Sequence, residues 1–396
     1  MKGRVILIDM PEDRASQAAL VIDGKLEDLL LDSPRDTRIQ APAPGEIYWA
    51  KVERLVPKMG GAFLTLAPGL DGFLRDAKSI KEASGVLVQV VAYAEPDKAT
   101  PVTSRLLYKG RRIIHTPDAP GINVSRQIKD EAERKRLVEA VESWTPSPAN
   151  REPALSQYAA MHRDGGFILR TAAQGAPARE LQVELSWVLA KRSSREGLTR
   201  GRDPGTTAGA SLAIDQAMRE WTSELPDEIL LTESATRLVL HPSEIERRAS
   251  ADLDRVMRVD PDPDPFDHYG VWDEIDRLKS SRADLPSGAW MAIEATRAMV
   301  TVDVNTAGEF SGGAALTANL EAAKELPRQL RLRGLGGQII IDFAPLPKKD
   351  RRRIEEALKS AFRRDAIETT LAGWTPLGHF ELLRKRERRP LSELLS

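Results

Sequence analysis

The chain has 396 residues, 41% of them hydrophobic and 5% aromatic, and a formal net charge of −1 from 58 Lys plus Arg against 59 Asp plus Glu. That length can bury more than one core, and the near-zero charge excludes a global field that would gather a polyanion. The absence of cysteine excludes disulfides, thiol catalysis and thiolate zinc sites, so any metal must rest on oxygen or imidazole.

No apolar run approaches the roughly 18 residues of a membrane span. The N-terminal "RVILIDM" is interrupted by Asp9 and is too short and too charged for a signal peptide, so a cytoplasmic protein is expected. "RVILID" and "AALVIDGKLEDLLLD" alternate as strands do, with Asp23-Gly24 as the hairpin turn within the second. After the Pro-rich "SPRDTRIQAPAPGE" come "IYWAKVERLVP", "GGAFLTLAPGLDGFLRD" and "GVLVQVVAYAE", short β-rich runs parted by Gly turns that predict a small barrel. The spacing of Ile128, Ala132, Leu137, Val138 and Val141 predicts a helix within 126–144. "GGFILRT" (165–171) reads as a strand, and "ARELQVELSWVLAKRSSRE" as a longer helix. "TRGRDPGTTAGAS" (199–211) reads as a loop, and "DPDPDPFD" (260–267) as a Pro-interrupted linker and domain boundary; its acids lack the spacing of a Ca²⁺ loop.

The pattern is clearest in the last third. "AMVTVDVN" puts Val300, Val302 and Val304 on one face and Thr301, Asp303 and Asn305 on the other. "LTANLEAAKELPRQLRLR" carries Leu316, Leu320, Ala323, Leu326 and Leu330 at helical spacing, with Pro327 as a kink and Gly334, Gly336 and Gly337 as its end. "QIIIDF" is an apolar strand closed by Asp342, and "RRRIEEALKSAF" is an amphipathic helix through Ile354, Leu358, Ala361 and Phe362. Strand, helix, strand, helix in that order predicts a parallel βαβ pair. The basic runs "KKDRRR", "RR" at 363–364 and "RKRERR" (384–389) read as solvated helix faces.

Neighbouring strands of a βαβ unit would bring Asp303 and Asp342 together at the carboxyl edge of the sheet, where ligands collect. Two facing carboxylates repel, so a proton or a cation should join them. Mg²⁺ suits such a pair, because it accepts one or two carboxylates and leaves room for water and a phosphate oxygen. Asn305 would orient a ligand or water. The plainer alternative is that the two acids cap strand ends or pair with nearby arginines. The histidines at 115, 162, 241, 268 and 379 are scattered and form no HxxxH pair, so no zinc is expected. No GxSxG elbow is present.

"TVDVNTAGEFSGG", "TANLEAAKELPRQLRLRGLGGQIIIDF" and the order in which they follow one another closely resemble the catalytic core of the ribonuclease E/G family, endoribonucleases that cut single-stranded RNA with Mg²⁺. The resemblance implies an α/β multidomain protein: a ribonuclease-H-like domain (1–40 and 196–264), interrupted by an OB-type RNA-binding barrel (41–105) and a 5′-monophosphate sensor region (106–195), then a DNase-I-like catalytic domain (265–396). It implies that Asp303 and Asp342 hold Mg²⁺, or Mn²⁺, with Asn305 in support. It also implies that Phe63, Phe73 and Lys98 contact RNA, and that Arg170 and Thr171 bind a 5′-phosphate in a pocket shaped by Gly110 and Ile114. Expected products carry a 5′-phosphate and a 3′-hydroxyl. The chain departs from the family in lacking the cysteine pair that links protomers through zinc, so a monomer or weak dimer is expected rather than a zinc-linked tetramer. It ends soon after the catalytic core, at "RPLSELLS", so no scaffold tail for degradosome partners is expected. Pro345 stands where the family usually has a further acid. A non-catalytic RNA-binding protein on the same scaffold, and a DNA-directed phosphoesterase, are the alternatives.

Overall fold

A computed structural model describes residues 2–10, 16–32, 42–95, 97–144, 162, 164–196, 203–208, 213–235, 253–260, 262, 264–308 and 311–395. Two compact units divide the chain. Met1–Asp23, Leu30–Val91 and Asp97–Pro265 form the first, and Gly24–Leu29, Ala92–Pro96 and Phe266–Ser396 form the second.

The chain opens on β1 (Arg4–Asp9), β2 (Gln17–Ile22) and β3 (Lys25–Leu31). Asp23 and Gly24 have φ of +50° and +78°, which is the two-residue turn that right-twisted hairpin strands require. A closed barrel follows, from β4 (Ile47–Val56), β5 (Gly61–Ala67), β6 (Leu70–Arg75), β7 (Gly85–Val90) and β8 (Thr100–Thr103). Its order is β4-β5-β6-β8-β7, β7 pairs back onto β4, and β6 and β8 run parallel. Alternate residues fill the interior, among them Val52, Leu64, Leu66, Leu74, Val88 and Val102.

Beyond the barrel, β9 (Tyr108–Lys109), β10 (Ile113–Thr116), β11 (Gly121–Val124) and β12 (Gly166–Leu169) form a sheet of order β11-β12-β10-β9. Helices α1 (Glu131–Glu142) and α2 (Ala178–Glu196) pack on it through Leu137, Val141, Leu181, Leu185 and Val188. The first helix starts later than its apolar spacing predicts, because Asp130 caps it by accepting from the amide of Ala132. The segment 199–211 is described only at 203–208. There the expected loop contains a strand, β13 (Gly205–Ala208), antiparallel to β4 at Ile47–Trp49, where β5 does not reach. The β-branched pair Thr206-Thr207 favours strand pairing. Helix α3 (Ala213–Glu220) and strands β14 (Glu228–Leu231) and β15 (Met257–Val259) complete the first sheet, of order β15-β14-β1-β2-β3.

The second unit holds α4 (Val271–Leu278), β16 (Arg282–Asp284), β17 (Trp290–Ala295), β18 (Val300–Asn305), α5 (Gly312–Leu332), β19 (Gly337–Asp342), α6 (Arg351–Arg364), β20 (Thr369–Trp374) and β21 (Phe380–Arg384). The sheet order is β16-β17-β18-β19-β21-β20, and β18 and β19 are the expected parallel pair joined by α5. Val300, Val302, Val304, Ile339 and Ile341 point into the core with Leu326, Leu330, Ile354 and Leu358. On the other face Thr301, Asp303, Gln338 and Asp342 are exposed, so β19 alternates, with Ile340 the one apolar residue on its outer side. The run 384–389 is not the solvated helix face its composition suggests. Arg384 lies fully buried in β21 and donates to Asp365 at 2.8 Å, while Arg388 donates to Asp28 at 2.9 Å. Burial of those guanidiniums is tolerated because each meets a carboxylate.

Candidate active site

Asp303 and Asp342 occupy matched positions on adjacent parallel strands, cross-strand neighbours near the carboxyl ends of β18 and β19. Asn305 Nδ2 donates to Asp303 Oδ2 at 2.8 Å, which leaves Oδ1 without a donor among the described residues. Among the described residues neither acid lies within ion-pair distance of a lysine or arginine, so the plainer alternative of arginine pairing is not what the fold provides. The Asp342 side chain is 64% exposed, and His379 Nε2 stands 3.9 Å from its Oδ1. Sequence reasoning passed over His379. It reaches the site because β21 runs antiparallel to β19 in a register that sets Phe380 opposite Ile341, and the preceding residue therefore falls beside Asp342.

A second residue that sequence reasoning missed fixes the exit of β19. Asn319, buried in α5, donates Nδ2 to the Ala344 carbonyl at 2.8 Å and accepts from the Ala344 amide at 2.9 Å. A reciprocal pair of bonds to the amide and carbonyl of one residue locks the chain two residues after Asp342. In sequence Asn319 is only a polar residue within an amphipathic helix.

The donor set fits Mg²⁺: exposed, hard carboxylate oxygens, held in register and with no lysine or arginine among the described residues already neutralising them. Among the described residues no group of three His, Cys, Asp or Glu side chains is arranged around a common point. An ion here would therefore rest on two carboxylates, with its remaining positions left to water and phosphate, which is the usual Mg²⁺ arrangement.

In the barrel, Phe63 on β5 and Phe73 on β6 are cross-strand partners. Their rings lie 5.2 Å apart, edge to face at 60°, half-exposed and outside the barrel core. The Arg54 guanidinium is 5.3 Å from the Phe63 ring centre. Gly61 makes room for the pair, since a Cβ there would come 2.6 Å from the Phe73 ring. Lys98 is exposed in the segment between β7 and β8, just before the strand that pairs with β6.

Arg170 follows β12 directly. Its Nη1 donates to the carbonyls of Gly110 (3.1 Å), Arg111 (3.2 Å) and Arg219 (3.2 Å), so one corner of the guanidinium is anchored on the protein. The Nε and Nη2 edge makes no hydrogen bond to the described residues. Burial lowers the guanidinium pKa, opposed by nearby Glu220. Thr171 Oγ1 lies 3.0 Å from Ser125 Oγ and donates to Gln127 Oε1 at 3.1 Å, while Ile114 is half-buried on β10 between Lys109 and Ile168. The structure thus joins Arg170 to Gly110, and turns Thr171 toward Ser125 and Gln127.

Beneath this region His115 is fully buried against Phe167. Its Nε2 faces Arg192 Nη1 at 3.1 Å and so must accept, which leaves Nδ1–H to donate to the Gly166 carbonyl at 3.0 Å. Desolvation pushes its pKa down to about 4. The unfolded chain therefore binds a proton that the folded chain refuses, and the stability due to neutral His115 is complete above pH ~6.5 and lost as pH falls toward 4. Denaturant unfolding should show a loss of about 2 kcal/mol between pH 7 and pH 5 from this residue. A slope unchanged in His115→Gln would remove it as the cause.

The second unit carries two registered acids at a sheet edge, and the first holds a closed barrel bearing a half-exposed aromatic pair. The particular family is shown by comparison: the profile of the Ribonuclease E/G family matches residues 108–387, and the chain belongs to that family. It is 30% identical to Ribonuclease G of Escherichia coli over 385 residues, covering 89% of this chain and 74% of that protein. It is 29% identical to Ribonuclease E of a Nostoc species, covering 88% of this chain and 52% of the relative. Against Ribonuclease E of Escherichia coli it is 27% identical, over 98% of this chain and 37% of the relative.

Proposed function

We propose that the chain is a Mg²⁺-dependent endoribonuclease of RNA processing and decay that cuts single-stranded RNA and prefers a 5′-monophosphorylated end. The observation that carries this reading is the shared register of Asp303 and Asp342, exposed and, among the described residues, without a lysine or arginine partner. Bound between them, Mg²⁺ would supply Lewis-acid stabilisation of the charge that builds on the scissile phosphate. The protein's own part is to hold the two acids apart from competing cations, to steer Asp303 through Asn305, and to fix the β19 exit through Asn319.

In this reading the barrel is of the OB type, and its strand pair β5–β6 presents Phe63 and Phe73 as stacking platforms while Lys98 neutralises a phosphate. Arg170 offers the free edge of its guanidinium to a terminal phosphate, with Thr171 as hydroxyl donor and Gly110 and Ile114 shaping the pocket. Residues 1–40 with 196–264 serve as a ribonuclease-H-like frame, and 265–396 as the DNase-I-like catalytic domain.

The test is a fluorescent single-stranded RNA incubated with the protein in Mg²⁺ or in EDTA. Fragments that need Mg²⁺ are expected. Binding without cutting would instead favour the non-catalytic RNA-binding protein, a reading that Pro345 in place of an acid would suit. Phe63→Ala and Phe73→Ala should each weaken RNA binding by about 1–3 kcal/mol, measured by fluorescence anisotropy. Unchanged affinity in both would leave the ring pair as barrel packing.

A further inference from the structure

The hairpin between β20 and β21 brings a second charged element to the same sheet edge. Residues 375–379 form a tight turn: the Thr375 amide donates to the His379 carbonyl at 2.8 Å, the Gly378 amide to the Thr375 carbonyl at 3.0 Å, and Gly378 has φ of +101°. Trp374, at the base of the turn, packs against Phe343 and Phe380 with ring centres 5.7 and 5.3 Å away. Those two phenylalanines directly follow Asp342 and His379, so Trp374 is keyed to the end of the sheet that carries the acids. Arg351, the first residue of α6, lies over the Trp374 ring at 4.6 Å. A Cβ on Gly378 would come 3.2 Å from Arg351 Nη2, so the absence of a side chain at 378 gives the guanidinium its place.

Arg351 is set apart from the arginines around it by what it does not bind. Arg384, Arg331 and Arg388 each meet a carboxylate, and Arg352 pairs with Glu356 at 3.0 Å. Among the described residues the Arg351 side chain makes no hydrogen bond or ion pair. Its Nε and the indole Nε1 of Trp374 are both buried donors without an acceptor. Buried donors without a partner are rare in folded proteins and ask for a reason. A half-buried guanidinium with unused donors, stiffened by stacking on an indole, suits planar recognition of a phosphate.

We propose that Arg351, braced on Trp374, is a phosphate-binding residue of the active site, taking a phosphodiester of the RNA strand next to the acid pair. The proposal rests on the nuclease reading for its substrate, and it adds the cationic side that two adjacent carboxylates need if a polyanion is to approach them.

The test compares Arg351→Gln, Arg351→Lys and Arg352→Gln in the full-length protein. Single-stranded RNA binding is followed by anisotropy across a salt series, and cleavage by steady-state kinetics in Mg²⁺. Arg351→Gln is expected to weaken binding about ten- to a hundredfold, the range for a hydrogen bond to a charged group, and to reduce the salt slope by about 0.7. KM should rise more than kcat falls. Arg351→Lys should restore the slope but only part of the affinity, because it keeps the charge and loses the fork, and Arg352→Gln should match wild type. Equal affinity and slope in Arg351→Gln, or an equal loss in Arg352→Gln, would overturn the proposal. A wild type that binds without cutting, with Arg351→Gln still weakened, would defeat the nuclease reading and leave the phosphate contact standing. A thermal midpoint within a few degrees of wild type separates lost contact from lost fold.

Discussion

Asp342→Asn should lower Mg²⁺-dependent cleavage of single-stranded RNA by about 10³-fold, the scale set by loss of a group that stabilises transition-state charge, while leaving the folded protein as stable as before. The second half of that expectation follows from the site. Asp342 is exposed, has no arginine or lysine partner among the described residues, and faces another carboxylate across the strand pair. Asn keeps its shape and removes a like-charge contact, so unfolding free energy should change by no more than ~0.5 kcal/mol. Binding of Mn²⁺, read from the paramagnetic resonance of the free ion, should weaken in parallel with activity. Cleavage within about threefold of wild type would mean that Asp342 is not a metal ligand.

Gly110→Ala should be among the most destabilising single-methyl changes in the first unit, costing on the order of 3 kcal/mol. The backbone of Gly110 does not call for positive φ. What it needs is room: an added Cβ would lie 2.2 Å from Glu184 Oε1 and 2.9 Å from the Ile113 carbonyl. Glu184 cannot easily yield, because the same oxygen accepts from the amides of Arg112 (2.7 Å) and Ile113 (3.1 Å). Burial pushes this carboxyl above its usual range, opposed by those two amides and by Arg112. Moving it would strand two amides and the buried Arg112 together. Urea unfolding measures the loss, and a double mutant with Glu184→Ala tests its cause, since a shared clash should make the two losses less than additive. Because the Gly110 carbonyl also holds Arg170, the proposed preference for a 5′-monophosphate should weaken with it.

The parts of this protein legible from its sequence are those governed by local period. Alternation at 300–305 and helical spacing from Leu316 to Leu330 were enough for the parallel pair β18 and β19. The convergence of Asp303 and Asp342 then followed from the habit of consecutive strands to lie side by side. What stayed hidden depends on register between elements distant in the chain. His379 reaches Asp342 only through the antiparallel pairing of β21, and Arg351 reaches Trp374 only through the seating of α6. Neither leaves a mark on the period of its own segment. Arg384 was misread because composition counts charges without their partners: Asp365 lies in the turn after α6 and meets it from there. Thr206-Thr207 was lost among glycines that suggested a loop, until an open stretch of β4 gave it a strand to pair with.

The buried arginines of the second unit carry a consequence for how this polypeptide is made. Asp28 answers to Arg388, 360 positions away, and Glu27, Asp28 and Asp365 gather around Arg331. The acids at 27 and 28 leave the ribosome long before the cations that need them, and those cations end in a nearly dry interior. Ordering of the unit is thus deferred until those cations have been made, when the six-residue ribbon Gly24–Leu29 supplies their countercharges.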